Sequence, residues 1–494
     1  MKPVRLPSMA SLGLACLALT ACAVGPDYVA PTPLAPARLT AEPLPEATAG
    51  LPQPAARAQY FVDVRAMPQA WWTAFGNPAL DRLVDQALAN SPTVAAAEAA
   101  LRVAQEQAAA QRGAWLPSVD ASYTPQRARS PEVLSPPLNS GASIYTLHTA
   151  SLNVSYVVDA FGGTRRAIES QDALAESQAW QLRAARLALA GNVVSAALQE
   201  AALREQLAAL QRLADIAQQQ WQLMQTQQRL GEAAGAAVLA QEVVFRQSQT
   251  AAAALRKQLA QQRDLLAALV GVTPSAFAAP GFGLAELALP DVPVLLNASA
   301  VAQRPDVRAA EAQLHSANAQ VGVAVANMLP QITLGADYGA SAESFGQLLR
   351  SSNVLWSLGA GITQPVFQGG SLLHRKRAAQ AQLDQALATY QATVLAGFQN
   401  VADALEAVRH DADQHVASVL QLRAAEASLR VAKRQLAVGD ISGLALLNAE
   451  TALQQSALAQ IQIQAERLSD VVAVYVALGG GWGDPAAPAP VTGN

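Results

Sequence analysis

Residues 371–438 read SLLHRKRAAQAQLDQALATYQATVLAGFQNVADALEAVRHDADQHVASVLQLRAAEASLRVAKRQLAV. No proline interrupts them, and Gly397 is their single glycine. Leu383, Leu387, Tyr390, Val394, Phe398, Val401, Leu405 and Val408 recur in steps of three and four, the period of a helix with one buried stripe. At about 1.5 Å per residue such a helix is roughly 100 Å long. A compact domain has no room for it, so the pattern implies a coiled coil, a helical repeat or a spanning tube.

The stretch has a twin. Residues 165–230 also lack proline and carry one glycine, Gly191. Each long segment ends at a glycine-bearing turn, at Gly231 and Gly235 or at Gly439 and Gly443, and each turn leads into a second clean helix, residues 236–270 or 444–478. Helix starts and stops repeat as well. Pro92 and Pro305 open helices, Pro117 and Pro330 close them, and both pairs are separated by the same interval. The chain is an internal duplication with a long period.

After each stop the period changes to two. Val119, Ala121 and Tyr123 alternate with Ser118, Asp120 and Ser122, and Ala150, Leu152, Val154 and Tyr156 with Ser151, Asn153 and Ser155. In the second half Ile332, Leu334, Ala336 and Tyr338 alternate with Thr333, Gly335 and Asp337, and Trp356, Leu358, Ala360 and Ile362 with Ser357, Gly359, Gly361 and Thr363. That predicts four strands in two pairs, each with an apolar and a small polar face. Their length suits a tilted membrane strand of about ten residues. Lipid cannot solvate an open sheet edge, and membrane barrels start at about eight strands. Four strands per chain must therefore be completed by other copies: two chains make eight, three make twelve, and the periodicity does not choose between them.

The address agrees with a membrane. Lys2 and Arg5 precede an apolar core at residues 9–19, a secretion signal ending in Leu19-Thr20-Ala21-Cys22. This resembles the bacterial lipobox, which makes Cys22 the expected lipid attachment site. Cys16 lies in the discarded core, so Cys22 has no partner for an intramolecular disulfide. Ala23 stands where many inner-membrane lipoproteins carry aspartate, which favours the outer membrane. No transmembrane helix is expected beyond the signal. A net charge of −4 gives no footprint for nucleic acid.

These signals divide the chain. Residues 1–21 are the signal peptide, and 22–89 an extended arm with Trp71-Trp72 as a packing anchor and a short helix. Residues 90–271 are a first repeat, with strands near 118–125 and 147–158 and helices near 92–113, 165–230 and 236–270. A proline-rich linker covers 272–303. Residues 304–479 are a second repeat, with strands near 331–340 and 354–366 and helices near 305–328, 371–438 and 444–478. Residues 480–494 form a tail. The expected fold is mainly α with a membrane β part.

Catalytic chemistry has nothing to rest on. His148, His315, His374, His410 and His415 are scattered, and His410 and His415 read as solvated helix surface. Gly369-Gly370 and Gly479-Gly480-Gly481 lack the strand–loop–helix setting of a phosphate cradle. No enzyme activity, cofactor or metal site is expected.

The chain resembles the outer membrane factor, or TolC-like, efflux family, in its lipoprotein branch. The resemblance rests on Cys22 with Val24-Gly25-Pro26-Asp27-Tyr28, on Trp71-Trp72 with Phe75, on Arg304-Pro305-Asp306 and on Leu329-Pro330. It extends to Pro365-Val366-Phe367 with Gly369-Gly370 and to Gly439 followed by Leu446-Leu447-Asn448-Ala449. It implies a homotrimer with a twelve-stranded β-barrel continuous with a long twelve-helix periplasmic α-barrel, and it places residues 22–89 in an equatorial region. It implies a lipid-anchored protein of the outer membrane that extends into the periplasm and exports drugs, toxic compounds or metal ions as a passive conduit. Its partners are outer-membrane lipid, a periplasmic adaptor docking at the helical-tip turns marked by Gly231 and Gly439, and a proton-driven inner-membrane pump. Its helical tips form an iris, which puts Leu444 and Asn448 at the constriction. There the family commonly has aspartate, so Asn448 implies a less anionic iris. Two rival functions stay open in the sequence: the duct of a protein-export system, and a lipid-anchored coiled-coil spacer with no pore.

Overall fold

The computed structural model describes residues 24–32, 38–52, 56–63, 67–129, 144–294 and 299–481. Residues 1–23, with the expected signal peptide and Cys22, and the expected tail from residue 482 lie outside them. In chain order the elements are β1 (Phe61–Asp63), α1 (Pro78–Asn90), α2 (Pro92–Arg112), β2 (Ser118–Arg129), β3 (Ile144–Val158), α3 (Gly163–Arg229) and α4 (Gly235–Val270). They continue with β4 (Val292–Val294), α5 (Pro305–Ala326), β5 (Gln331–Ala342), β6 (Val354–Thr363), α6 (Ser371–Ala437) and α7 (Gly443–Ala477). The two long helices, α3 and α6, are 67 residues each. No helix among the described residues is long and apolar enough to cross a membrane.

The chain forms two compact units. Among the described residues, those within 24–31, 101–177 and 310–390 make one, and those within 32–100, 178–309 and 391–481 the other. Each draws on both repeats.

The first unit holds an antiparallel sheet in the order β2-β3-β5-β6. Two hairpins, one from each repeat, are joined through β3 and β5 with Leu152 opposite Tyr338. Strand β2 runs four residues further than the sequence alternation indicates, through Pro125 to Arg129. Proline supplies no ladder N–H, and an edge strand is where that loss is tolerated. Strand β6 stops at Thr363, two residues before Pro365.

The second unit is held by close helix approach. A Cβ on Gly191 would lie 2.7 Å from Val476 Cγ2, and one on Gly397 2.8 Å from Val301 Cγ1. Each long helix thus keeps its only interior glycine where a neighbour presses on its backbone. Trp71 and Phe75 are fully buried in a short 3-10 turn, and Trp71 stacks on Tyr475 of α7 with centroids 5.2 Å apart. Arg304 grips both oxygens of Asp306 at 3.1 and 2.8 Å and donates to the Ala477 carbonyl at 2.6 Å, a cation placed on the C-terminus of α7. The arm and the linker meet in a parallel pair, β1 with β4, too short to announce itself by periodicity.

Candidate functional site

The sheet separates two chemistries by register. Partners across all four strands put Ala121, Leu152, Tyr338 and Trp356 in one row, and Val119, Val154, Ala336 and Leu358 in the next. This face is exposed although it is apolar: Trp356 is 74%, Leu358 79% and Ile362 72% accessible. The opposite face carries Ser122 and Ser151 with hydroxyl oxygens 2.9 Å apart, Thr149 and Ser341 3.0 Å apart, and Ser357 donating to Asp337 at 2.9 Å. Among the described residues, strands β2 and β6 are the sheet's edges, and each pairs on one side only. An apolar face turned outward, a hydroxyl face turned away from it and two open edges are the features of a barrel segment.

The segment that follows Cys22 is strapped to the same unit. Val24 N–H donates to the Phe161 carbonyl at 3.1 Å, in the turn between β3 and α3. Gly25 has φ +96°, and a Cβ there would lie 2.5 Å from Gly322 Cα. Arg166 donates to Asp27 at 2.5 Å and to Glu169 at 2.8 Å, Asn318 donates to the Pro26 carbonyl at 2.9 Å, and Tyr28 stacks on His315 at 4.2 Å. The strap fixes the chain two residues from Cys22, itself outside the described residues.

In the second unit the two tip turns have one construction. Gly231 (φ 81°) follows α3 and Gly439 (φ 78°) follows α6, both in the left-handed region that favours glycine. Glu232 N–H returns to the Gln227 carbonyl at 2.8 Å and Asp440 N–H to the Gln435 carbonyl at 2.9 Å. A Cβ at either glycine would meet nothing within 4 Å, so backbone conformation alone demands the residue. Leu230 and Val438 directly precede them and stand 69% and 80% exposed. The sequence reading named the glycines and missed these aliphatics, although aliphatic–glycine–acid recurs in both turns.

Leu444 is half-buried in the first turn of α7, and Asn448 follows one turn later. The Asn448 carbonyl oxygen accepts from Gln220 Nε2 of α3 at 3.1 Å, and Gln220 in turn accepts from Gln241 of α4 at 2.9 Å. An amide relay thus ties α3, α4 and α7 together beneath the tips.

One histidine overturns its expectation. His410 is exposed, but His415 is fully buried, four and three residues along the stripe that runs through Val408 and Ala412. Its Nδ1 lies 3.2 Å from Arg467 NH1. Burial, and then the Arg467 charge, hold its pKa down to about 4. Nearby on α7, burial pushes Asp470 up to about 8, helped by its hydrogen bond to Asp411 and by the Asp411 and Glu466 charges. No cluster of three or more His, Cys, Asp or Glu with metal-holding geometry occurs among the described residues.

Known proteins share this arrangement. A family model described as outer membrane efflux protein matches residues 83–272 and 296–480. The pyoverdine export outer membrane protein OpmQ of Pseudomonas putida is 31% identical, over 85% of this chain and 89% of its own length. The probable efflux pump outer membrane protein TtgC of the same species is 29% identical over 96% of both. The solved outer-membrane channel OprN superposes with a TM-score of 0.81 at 27% identity, covering 94% of this chain and all of that one.

Proposed function

This chain belongs to the outer membrane efflux protein family and is the outer-membrane channel component of an efflux system, and from that premise we infer that three copies close one tube. The observation that carries the inference is the sheet: four strands, an exposed apolar face and two open edges. In lipid every backbone polar group needs a partner, so β2 of one copy pairs with β6 of the next until the ring shuts. Three copies supply twelve strands, and their long helices supply a twelve-helix barrel on the periplasmic side.

Cys22 carries the acyl chains. The strap from Val24 to Tyr28 supports this role, since it fixes the lipidated end close to the end of β3. Residues 90–271 and 304–479 act as the two repeats, each giving two strands and a long helix with its shorter companion. The turns at Gly231 and Gly439 receive a periplasmic adaptor, with Leu230 and Val438 as the aliphatic contacts. A proton-driven inner-membrane pump supplies the energy, and the tube itself is a passive conduit without cofactor or catalytic step. Leu444 and Asn448 line the closed end. With an amide where an acid would attract cations, block by multivalent cations is weak.

Native mass spectrometry of protein extracted from outer membranes tests this directly. A trimer with acyl adducts on every chain is expected. A dimer would mean an eight-stranded barrel, and an unlipidated monomer would overturn the shared barrel altogether.

A further inference from the structure

Arg467 of α7 is 1% exposed, yet among the described residues none of its hydrogen-bond acceptors is charged. They are Gln59 Oε1 at 3.2 Å, the Arg57 carbonyl at 2.9 Å and His415 Nδ1 at 3.2 Å. A buried cation without a counter-ion is costly, and proteins seldom leave one so. Arg57 does have its acid, Asp291 at 3.5 Å, so one positive charge in the group stands uncompensated.

His415 supplies a directional clue. Guanidinium only donates, so Nδ1 must accept from Arg467 and the ring hydrogen sits on Nε2. That Nε2 is buried and has no partner among the described residues. His415 and Arg467 line one cavity of about 240 Å³, with Arg57 and Gln464 as its other polar groups and Leu287 and Leu289 among its apolar ones. This is below the roughly 300–1,000 Å³ of pockets that hold drug-sized ligands.

We propose that the cavity is a binding site for a small organic monocarboxylate. One carboxylate oxygen accepts from His415 Nε2–H, the other faces the Arg467 and Arg57 guanidiniums, and the apolar body packs on Leu287 and Leu289. A single negative charge matches the single uncompensated guanidinium. Burial keeps His415 neutral at physiological pH, with its pKa held down to about 4, so the Nε2 donor persists. All of the cavity's lining residues belong to the second unit.

Isothermal titration of the full chain in detergent with benzoate tests it, with benzyl alcohol and sodium chloride as comparisons. Saturable binding of one benzoate per chain is expected, with no binding of the alcohol and none of chloride at the same concentration. His415→Asn keeps an acceptor for Arg467 but removes the Nε2 donor. Ala285 is exposed and lines the same cavity, so Ala285→Phe fills the cavity from the surface. Each should weaken benzoate binding by about tenfold or more, the range for losing a hydrogen bond to a charged group in the first case. Wild-type protein that ignores benzoate, variants that bind it unchanged, or chloride binding equally well would each overturn the proposal. So would benzoate binding that emerges only after residues 482–494 are deleted, since the chain's own tail would then be the occupant.

Discussion

The buried His415 and the half-buried Asp470, on facing helices, pull stability in opposite directions with pH. Asp470, pushed up to about 8, keeps its proton in the folded chain over a range in which the unfolded chain has released it. Stability therefore falls as pH rises from the ordinary carboxyl value near 4 towards 8. His415, held down to about 4, refuses a proton that the unfolded chain accepts below about 6.5. Stability from this group is complete above about 6.5 and is lost as pH falls towards 4. Asp470→Asn should thus raise the Tm of the solubilised protein at pH 8 and leave it almost unchanged at pH 4, as followed by circular dichroism. His415→Asn should flatten the acid side only. Parallel wild-type and variant curves across the range would remove both linkages. The stripe that buries His415 was legible in the sequence: continuing the steps of three and four past Val408 reaches Ala412 and then His415. The expectation of a solvated histidine failed because residue type was weighed above helical phase. The lone glycines were better guides, since Gly191 and Gly397 each mark a backbone contact. Asn448 was placed by resemblance, and only side-chain geometry reveals that Gln220 engages its carbonyl oxygen.

At the scale of the element, the sheet and the tips make separable demands. Leu358 on the exposed apolar face and Ser357 on the hydroxyl face are neighbours along β6. In the proposed barrel Leu358→Arg puts a charge into lipid, at roughly 2–4 kcal/mol near the bilayer midplane. The yield of assembled protein in outer membranes should collapse. Ser357→Arg should assemble normally and change single-channel conductance instead, and equal loss for both would deny the sheet its two faces. At the tips, Leu230→Asp with Val438→Asp alters exposed positions, where substitutions usually stay within about 0.5 kcal/mol. The purified protein should keep its Tm while cells bearing the whole pump lose resistance to its substrates. Strands and long helices could be read from sequence because periods of two and of 3.6 persist over many residues. The extent of β2 could not, because proline reads as a break unless the strand is known to be an edge. Nor could β1 and β4, since three residues carry no period.

For the whole molecule the question is closure. A chain with β2 and β6 as open edges can add copies without limit, unless strand tilt brings the last β6 back to the first β2. Heterologous contacts of this kind make rings when the rotation closes and filaments when it does not. The sequence has two cysteines, Cys16 and Cys22, and none after residue 22, so new cysteines in the strands report cleanly. Placing one at Ser118, Asp120 or Ser122 of β2 in turn, each with Ser357→Cys in β6, samples several registers across the joint. Both strands belong to the same sheet but lie at opposite edges of it, so a disulfide between them has to join two copies. Oxidation in outer membranes should give products of two and three linked chains, with the three-chain species migrating as a closed circle and nothing larger. A ladder that stops at two chains would require an eight-stranded barrel. One that runs past three would mean that the edges add copies without closing, and a continuous conduit through the outer membrane could not then be built from this sheet.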